Sequence, residues 1–282
     1  MRSGSREIVG GTMATVESFA AGEGAPLVHF AHATGMCAAI YRPVLARLVG
    51  RCNVVASDAR GHGATRLPAE PGSLTTWTPY IDDLRALLAT LPPSPRIILA
   101  GHSLGATVSM ATAAAMSGVA AVVMVEPAFV PFGMAAGWPA TSGGNPMAEQ
   151  ALRRRAVWPS RAAVRAAYAG RGVFTTWRAA DLDAYLDGGV RDRDDGQVEL
   201  ACAPAWEAAT FAAVSAGLEG AVTGWRGGLT LLHATERSTV SVADADAVAA
   251  LPGTTVRRFD GADHFLPLHD PGAVADAILA FT

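Results

Sequence analysis

The chain has 282 residues, 50% apolar and 17% charged, with a mean hydropathy of +0.26, a composition that buries a large core and excludes disorder. Its formal charge is −3, and apart from the short run Arg153-Arg154-Arg155 it has no basic cluster, so nucleic acid is not an expected partner. There is no lysine anywhere in the sequence, which removes Schiff-base chemistry and the phosphate-binding lysine of a Walker loop.

An antiparallel edge strand is expected over Thr15 to Phe19. From Pro26 onward, short β-type runs alternate with longer Ala/Leu-rich ones. The runs Leu27 to Ala31, Asn53 to Ser57, Arg96 to Ala100, Val119 to Val125, Leu229 to His233 and Thr254 to Phe259 are almost continuously apolar. That is the pattern of parallel strands covered on both faces. Between them the sequence predicts helices over Tyr41 to Val49, Trp77 to Leu91, Leu104 to Met116, Val242 to Ala250 and Pro271 to Phe281. The alternation predicts an α/β fold with a doubly wound, mostly parallel sheet whose ligand loops lie at the carboxyl ends of the strands.

The rhythm breaks between Pro127 and Gly228, where no strong parallel strand is found. Helices are expected instead over Met147 to Val157, Arg161 to Ala169, Leu182 to Leu186 and Ala205 to Ala216. A structureless loop of roughly a hundred residues is improbable in a compact domain, so residues 127–228 are expected to form an inserted helical cap on a core of residues 1–126 and 229–282.

The chemistry centres on Gly101-His102-Ser103-Leu104-Gly105, a G-x-S-x-G motif between a predicted strand and a predicted helix. So sharp a turn holds the serine out on a strained backbone at a helix N-terminus, where the Leu104 N–H can stabilise an oxyanion.

With this motif the chain resembles the α/β-hydrolase fold family from about Thr15 to its end. The supporting motifs are His32-Ala33-Thr34-Gly35, Asp58-Ala59-Arg60-Gly61-His62-Gly63, the Ser103 turn and Gly261-Ala262-Asp263-His264-Phe265. The resemblance implies Ser103 as nucleophile and His264 as base, and it implies the Thr34 N–H as a second oxyanion donor. Ala33 and Gly35 depart from the commonest HGxP form of that loop. Most relatives carry the acid after the seventh strand, but the segment His233 to Thr239 lacks the expected Asp. Some place it after the sixth strand, where Glu126-Pro127 ends an apolar run; Glu126 is the first choice and Glu236 the alternative. A buried Glu126 needs partners, and Pro127 is expected to bias its backbone toward an extended conformation.

Met36, Cys37 and Phe265 neighbour these positions and are expected to line the substrate pocket, joined from the cap by Phe129, Trp138 and Trp206. Of the cap aromatics, which also include Phe132, Trp158, Trp177 and Phe211, some are expected to pack cap against sheet and the rest to line an apolar pocket above Ser103, and Arg153 to Arg155 to lie on a solvated helix face. His62 and His102 read as structural or pocket-lining. His29, His233 and His269 have no partner at ligand spacing and no HExxH occurs, so neither a metal nor another cofactor is expected. Cys37, Cys52 and Cys202 form no CxxC pair, and no stretch reads as a signal peptide or membrane span. A reduced, cytoplasmic setting is therefore expected. The expected function is cofactor-independent hydrolysis of an ester or lactone in a small, fairly apolar molecule through an acyl-enzyme. Carbon–carbon bond hydrolysis of a diketone-like substrate and non-catalytic ligand binding on the same fold are the alternatives. The sequence does not specify an oligomeric state.

Overall fold

The protein is described from a computed structural model, which covers residues 1–128, 145–213 and 217–282. The first half runs β1 (Arg2–Ile8), β2 (Gly11–Ser18), β3 (Leu27–Ala31), α1 (Arg42–Ala46), β4 (Asn53–Ser57), α2 (Thr78–Ala89), β5 (Ile97–His102), α3 (Leu104–Ala114) and β6 (Val119–Val125). Then come α4 (Pro146–Leu152), β7 (Val157–Trp158), α5 (Arg161–Tyr168), α6 (Ala179–Gly189), β8 (Val190–Asp192), β9 (Val198–Leu200), α7 (Pro204–Ala212) and α8 (Leu218–Gly224). The chain closes with β10 (Gly228–Ala234), α9 (Val242–Ala249), β11 (Thr254–Phe259), α10 (Leu266–His269) and α11 (Pro271–Leu279).

Eight strands form one sheet in the order β1-β2-β4-β3-β5-β6-β10-β11, parallel from β4 to β11. Along its central strands, alternate residues feed two cores. Val28, Phe30, Val54, Ile98 and Val123 pack on one face, and Val55, Leu99, Val122, Met124 and Leu231 on the other. Both cores run on into the segment between β6 and β10: Val164, Phe174 and Leu182 join the first, and Cys202 and Trp206 the second. The chain passes from β3 to β4 on one side and returns to β5 on the other, so the loops after β3 and β5 diverge. A crevice opens where the winding direction reverses.

Two features depart from expectation. β2 is not an edge strand, because β1 folds back on it from Arg2↔Glu17 to Ile8↔Gly11. Polar, largely exposed β1 has no apolar alternation to read; backbone pairing and the Arg6–Glu17 ion pair (2.9 Å) hold it. The segment between β6 and β10 also contains more than helices, since β7, β9 and β8 form a small antiparallel sheet. Strands of two or three residues are too short to carry a period. Among the described residues no helix is long and apolar enough to cross a membrane, and all three cysteines are buried free thiols.

Candidate active site

Strand β5 delivers Ser103 to the start of α3 with φ 54° and ψ −120°, a backbone that side-chain-bearing residues rarely adopt. The turn is tight enough to dictate its flanks. A Cβ on Gly101 would lie 2.4 Å from the Gly105 carbonyl carbon, and one on Gly105 would lie 2.2 Å from the Ala31 oxygen. Leu104 is the first residue of α3, so its N–H is one of the orphan donors of a helix start.

The loop after β3 is pinned by two buried imidazoles. His32 Nδ1–H donates to the Ala33 oxygen (2.8 Å) while Nε2 accepts the Ala59 N–H (2.8 Å). His62 Nδ1–H donates to the Arg60 oxygen (2.9 Å) and Nε2 accepts the Gly35 N–H (3.0 Å). Each ring must be neutral to accept, and burial favours that form, pushing His32 down and His62 down to about 3. The Thr34 N–H between these anchors has no hydrogen-bond partner among the described residues. A further chain ties the loop to the turn. Ala33 N–H donates to Tyr41 Oη (3.2 Å), Tyr41 donates to His102 Nδ1 (2.8 Å), and His102 Nε2–H donates to the His264 carbonyl (2.7 Å).

Glu126 leaves β6 fully buried. Its Oε1 accepts the Ala234 N–H (2.7 Å) and its Oε2 the Thr239 N–H (3.1 Å), while the Ser238 hydroxyl lies 2.8 to 2.9 Å from both oxygens. Oε2 also lies 3.3 Å from His264 Nδ1, and Thr239 Oγ1 is at the same distance from that nitrogen. Glu236 is exposed, and among the described residues it is engaged through its backbone, N–H to the Ala262 oxygen (2.9 Å), and not through its carboxylate. The extended backbone expected from Pro127 is not found: Glu126 has φ 46°. The tight reversal out of β6, fixed by its N–H to the Leu232 oxygen (3.0 Å) and by the carboxylate's partners, outweighs the proline's bias. Sequence reasoning missed Ser238 and Thr239. The loop after β10 carries no Asp but supplies hydroxyl and amide donors to a carboxylate from the neighbouring strand.

Ser103, His264, Thr34, Met36 and Phe265 share the wall of one cavity of about 300 Å³. The Ser103 hydroxyl and His264 Nε2 form no hydrogen bond among the described residues. Phe129, Phe132 and Trp138 lie outside the described residues. Two pocket expectations are corrected. Cys37 is sealed beneath Gly188, where an added Cβ would meet its Sγ at 2.6 Å, and burial pushes its thiol up to about 12. Trp206 packs over Gly61 and edge-on to Tyr80, donating its indole N–H to the Arg60 oxygen (3.0 Å). The arginine run also divides. Arg153 is exposed beside Glu149 and Arg155 stacks on Trp158, but Arg154 turns inward to Glu207, Tyr168 and Tyr185 and lines the cavity.

The family model described as the alpha/beta hydrolase family matches residues 30–277. The chain belongs to the alpha/beta hydrolase family. Among curated members, a 2-(acetamidomethylene)succinate hydrolase of Mesorhizobium japonicum is 38% identical over 89 residues, 32% of this chain and 31% of that protein. Protein phosphatase methylesterase 1 of Mus musculus is 31% identical over 105 residues, 36% of this chain and 27% of that one. The matched stretches thus span about a third or less of these curated relatives. Over whole structures, an E-2-(acetamidomethylene)succinate hydrolase superposes with a TM-score of 0.81 at 26% identity, covering 99% of both chains. The enol-lactonase of Burkholderia xenovorans superposes at 0.71 and 19%, again over 99% of both, a likeness of fold.

Proposed function

We propose that this alpha/beta hydrolase is a cofactor-independent serine hydrolase that cleaves an ester or lactone in a small molecule through an acyl-enzyme. One observation carries the reading. A serine on a strained turn opens onto the same cavity as a histidine whose Nδ1 faces a fully buried carboxylate. With Glu126 accepting from Nδ1–H, His264 Nε2 is left free to take the Ser103 proton. The alkoxide then attacks the carbonyl, and the Thr34 and Leu104 N–H groups stabilise the oxyanion. Collapse expels the alcohol, which takes the proton from His264. A water, deprotonated by the same nitrogen, releases the acid. In this account His102 and Tyr41 position the base and the oxyanion loop, and residues 127–228 act as a cap over the site.

The 26%-identical hydrolase is named for an acetamido substrate rather than an ester. Hydrolysis of a different bond, carbon–carbon included, is therefore the second reading. A panel of p-nitrophenyl esters and lactones, run with wild type and Ser103→Ala, separates the two. Serine-dependent ester turnover supports the first reading. Absent turnover, with Ser103 still labelled by a fluorophosphonate, moves the case to the second.

A further inference from the structure

The cavity wall built by the segment between β6 and β10 has a surplus of hydrogen-bond donors. The Arg154 guanidinium donates to Glu207 through one terminal nitrogen, and through the other to Tyr168 Oη (3.1 Å) and Tyr185 Oη (2.9 Å). A guanidinium accepts nothing, so each phenol oxygen is the acceptor in its bond and its own proton is directed elsewhere. Both phenols line the cavity, and among the described residues neither O–H has an acceptor. Burial raises the Tyr185 phenol above its ordinary range, which keeps it a donor. Arg171 lines the same cavity and is exposed, and its guanidinium meets no carboxylate or carbonyl among the described residues. Of these donors Tyr185 is buried, Tyr168 half-buried and Arg171 exposed; a buried donor without an acceptor is rare in native structures, and its convergence with two further open donors on one cavity wall marks where an acceptor is to sit.

The charges point to which acceptor. Arg154 and Arg171 supply two positive charges to the wall, and Glu207 answers one of them from beneath the oxyanion loop, where a Cβ on Gly35 would meet its Oε1 at 2.5 Å. One positive charge remains. A carboxylate cancels it and can accept from a planar fork and from phenol O–H groups together, whereas a phosphate monoester carries closer to two negative charges.

We infer that this wall is a carboxylate-recognition site, and that the substrate carries one carboxylate away from the bond that is cleaved. The inference deepens the hydrolase reading and rests on it for calling the occupant a substrate. It replaces the fairly apolar molecule expected from the sequence by an amphiphilic one, whose hydrocarbon part lies against Met36, Phe174 and Phe265.

The test uses two esters of matched shape, p-nitrophenyl hydrogen glutarate and p-nitrophenyl 5-methylhexanoate, in which an isopropyl group replaces the carboxylate. Wild type is expected to prefer the anionic ester in kcat/KM by roughly tenfold or more, and added salt should erode that preference. Arg171→Met should remove most of it and, with no partner to orphan, should fold. Tyr185→Phe keeps the ring volume and should lower the same ratio. Calorimetric titration with glutarate reads the site without turnover: binding should be present in wild type and Ser103→Ala and weakened in Arg171→Met. Equal kcat/KM for the two esters together with no glutarate binding would overturn the carboxylate site and leave the hydrolase reading standing. Glutarate binding that depends on Arg171, with neither ester hydrolysed, would uphold the site and sink the ester and lactone reading.

Discussion

Replacing Glu126 by Gln changes one atom and reverses one hydrogen-bonding polarity. The shortest bond, Oε1 to the Ala234 N–H at 2.7 Å, holds the amide oxygen on that side. The new NH2 then occupies the position from which Oε2 now faces the Thr239 N–H at 3.1 Å and His264 Nδ1 at 3.3 Å. Thr239 N–H loses its acceptor, a loss of about 1 to 3 kcal/mol in stability. His264 can relieve the second clash only by accepting at Nδ1, which moves its proton to Nε2, the nitrogen that accepts from Ser103 in the proposed mechanism. Mutants with the wrong tautomer lose about 10³ to 10⁴ in kcat, or roughly 4 to 5.5 kcal/mol of transition-state stabilisation. Steady-state ester hydrolysis gives kcat, and urea unfolding of the same preparation gives the stability change. Glu236→Gln touches an exposed side chain and should lower kcat by less than about tenfold. A folded Glu126→Gln enzyme within about tenfold of wild-type kcat would refute the assignment of the acid.

Tyr41→Phe should break the chain from Ala33 to His264 and lower kcat by roughly tenfold with KM nearly unchanged, read from full saturation curves; an unaltered kcat would leave Tyr41 a packing residue. Trp206→Ala should destabilise the protein by about 3 to 5 kcal/mol in urea unfolding without altering acyl-chain preference, and a changed preference would return Trp206 to the pocket. Burial holds His29 and His62 down to about 3 and His32 and His102 below their ordinary value. The unfolded chain therefore binds more protons than the native one below about pH 6.5, and stability present above that pH is lost as pH falls, at up to about 1.4 kcal/mol per unit for each ring. Urea midpoints at about pH 7.5 and 5.5 check this, and equal midpoints would contradict it.

The parts of this fold legible in the sequence are those written in local chemistry. β3, β4 and β6 coincide with their apolar runs because buried parallel strands carry apolar residues on both faces. The Ser103 turn was legible because Gly101 and Gly105 are the only residue type its geometry admits. What could not be read depends on contacts distant in sequence. Arg154 sits between two exposed-looking arginines, and only the folded chain brings Glu207, Tyr168 and Tyr185 around it. Cys37 neighbours the His32-to-Gly35 motif yet is sealed away from the cavity, since adjacency along the chain does not fix side-chain direction in a loop, and the side of α7 on which Trp206 lies is set by its contacts with Arg60, Gly61 and Tyr80, all far away in sequence. β1 leaves no mark in the sequence because an edge strand held by backbone bonds needs no apolar pattern.

The proposed acyl-enzyme chemistry requires Ser103 as the nucleophile. Purified protein is treated with a fluorophosphonate, digested and sequenced by mass spectrometry, beside ester turnover by wild type and Ser103→Ala. One label per chain is expected, on Ser103, with slower labelling in His264→Ala and turnover in folded Ser103→Ala lower by roughly a thousandfold or more. A label on another residue, or a Ser103→Ala protein keeping about a tenth of wild-type turnover, would contradict that chemistry.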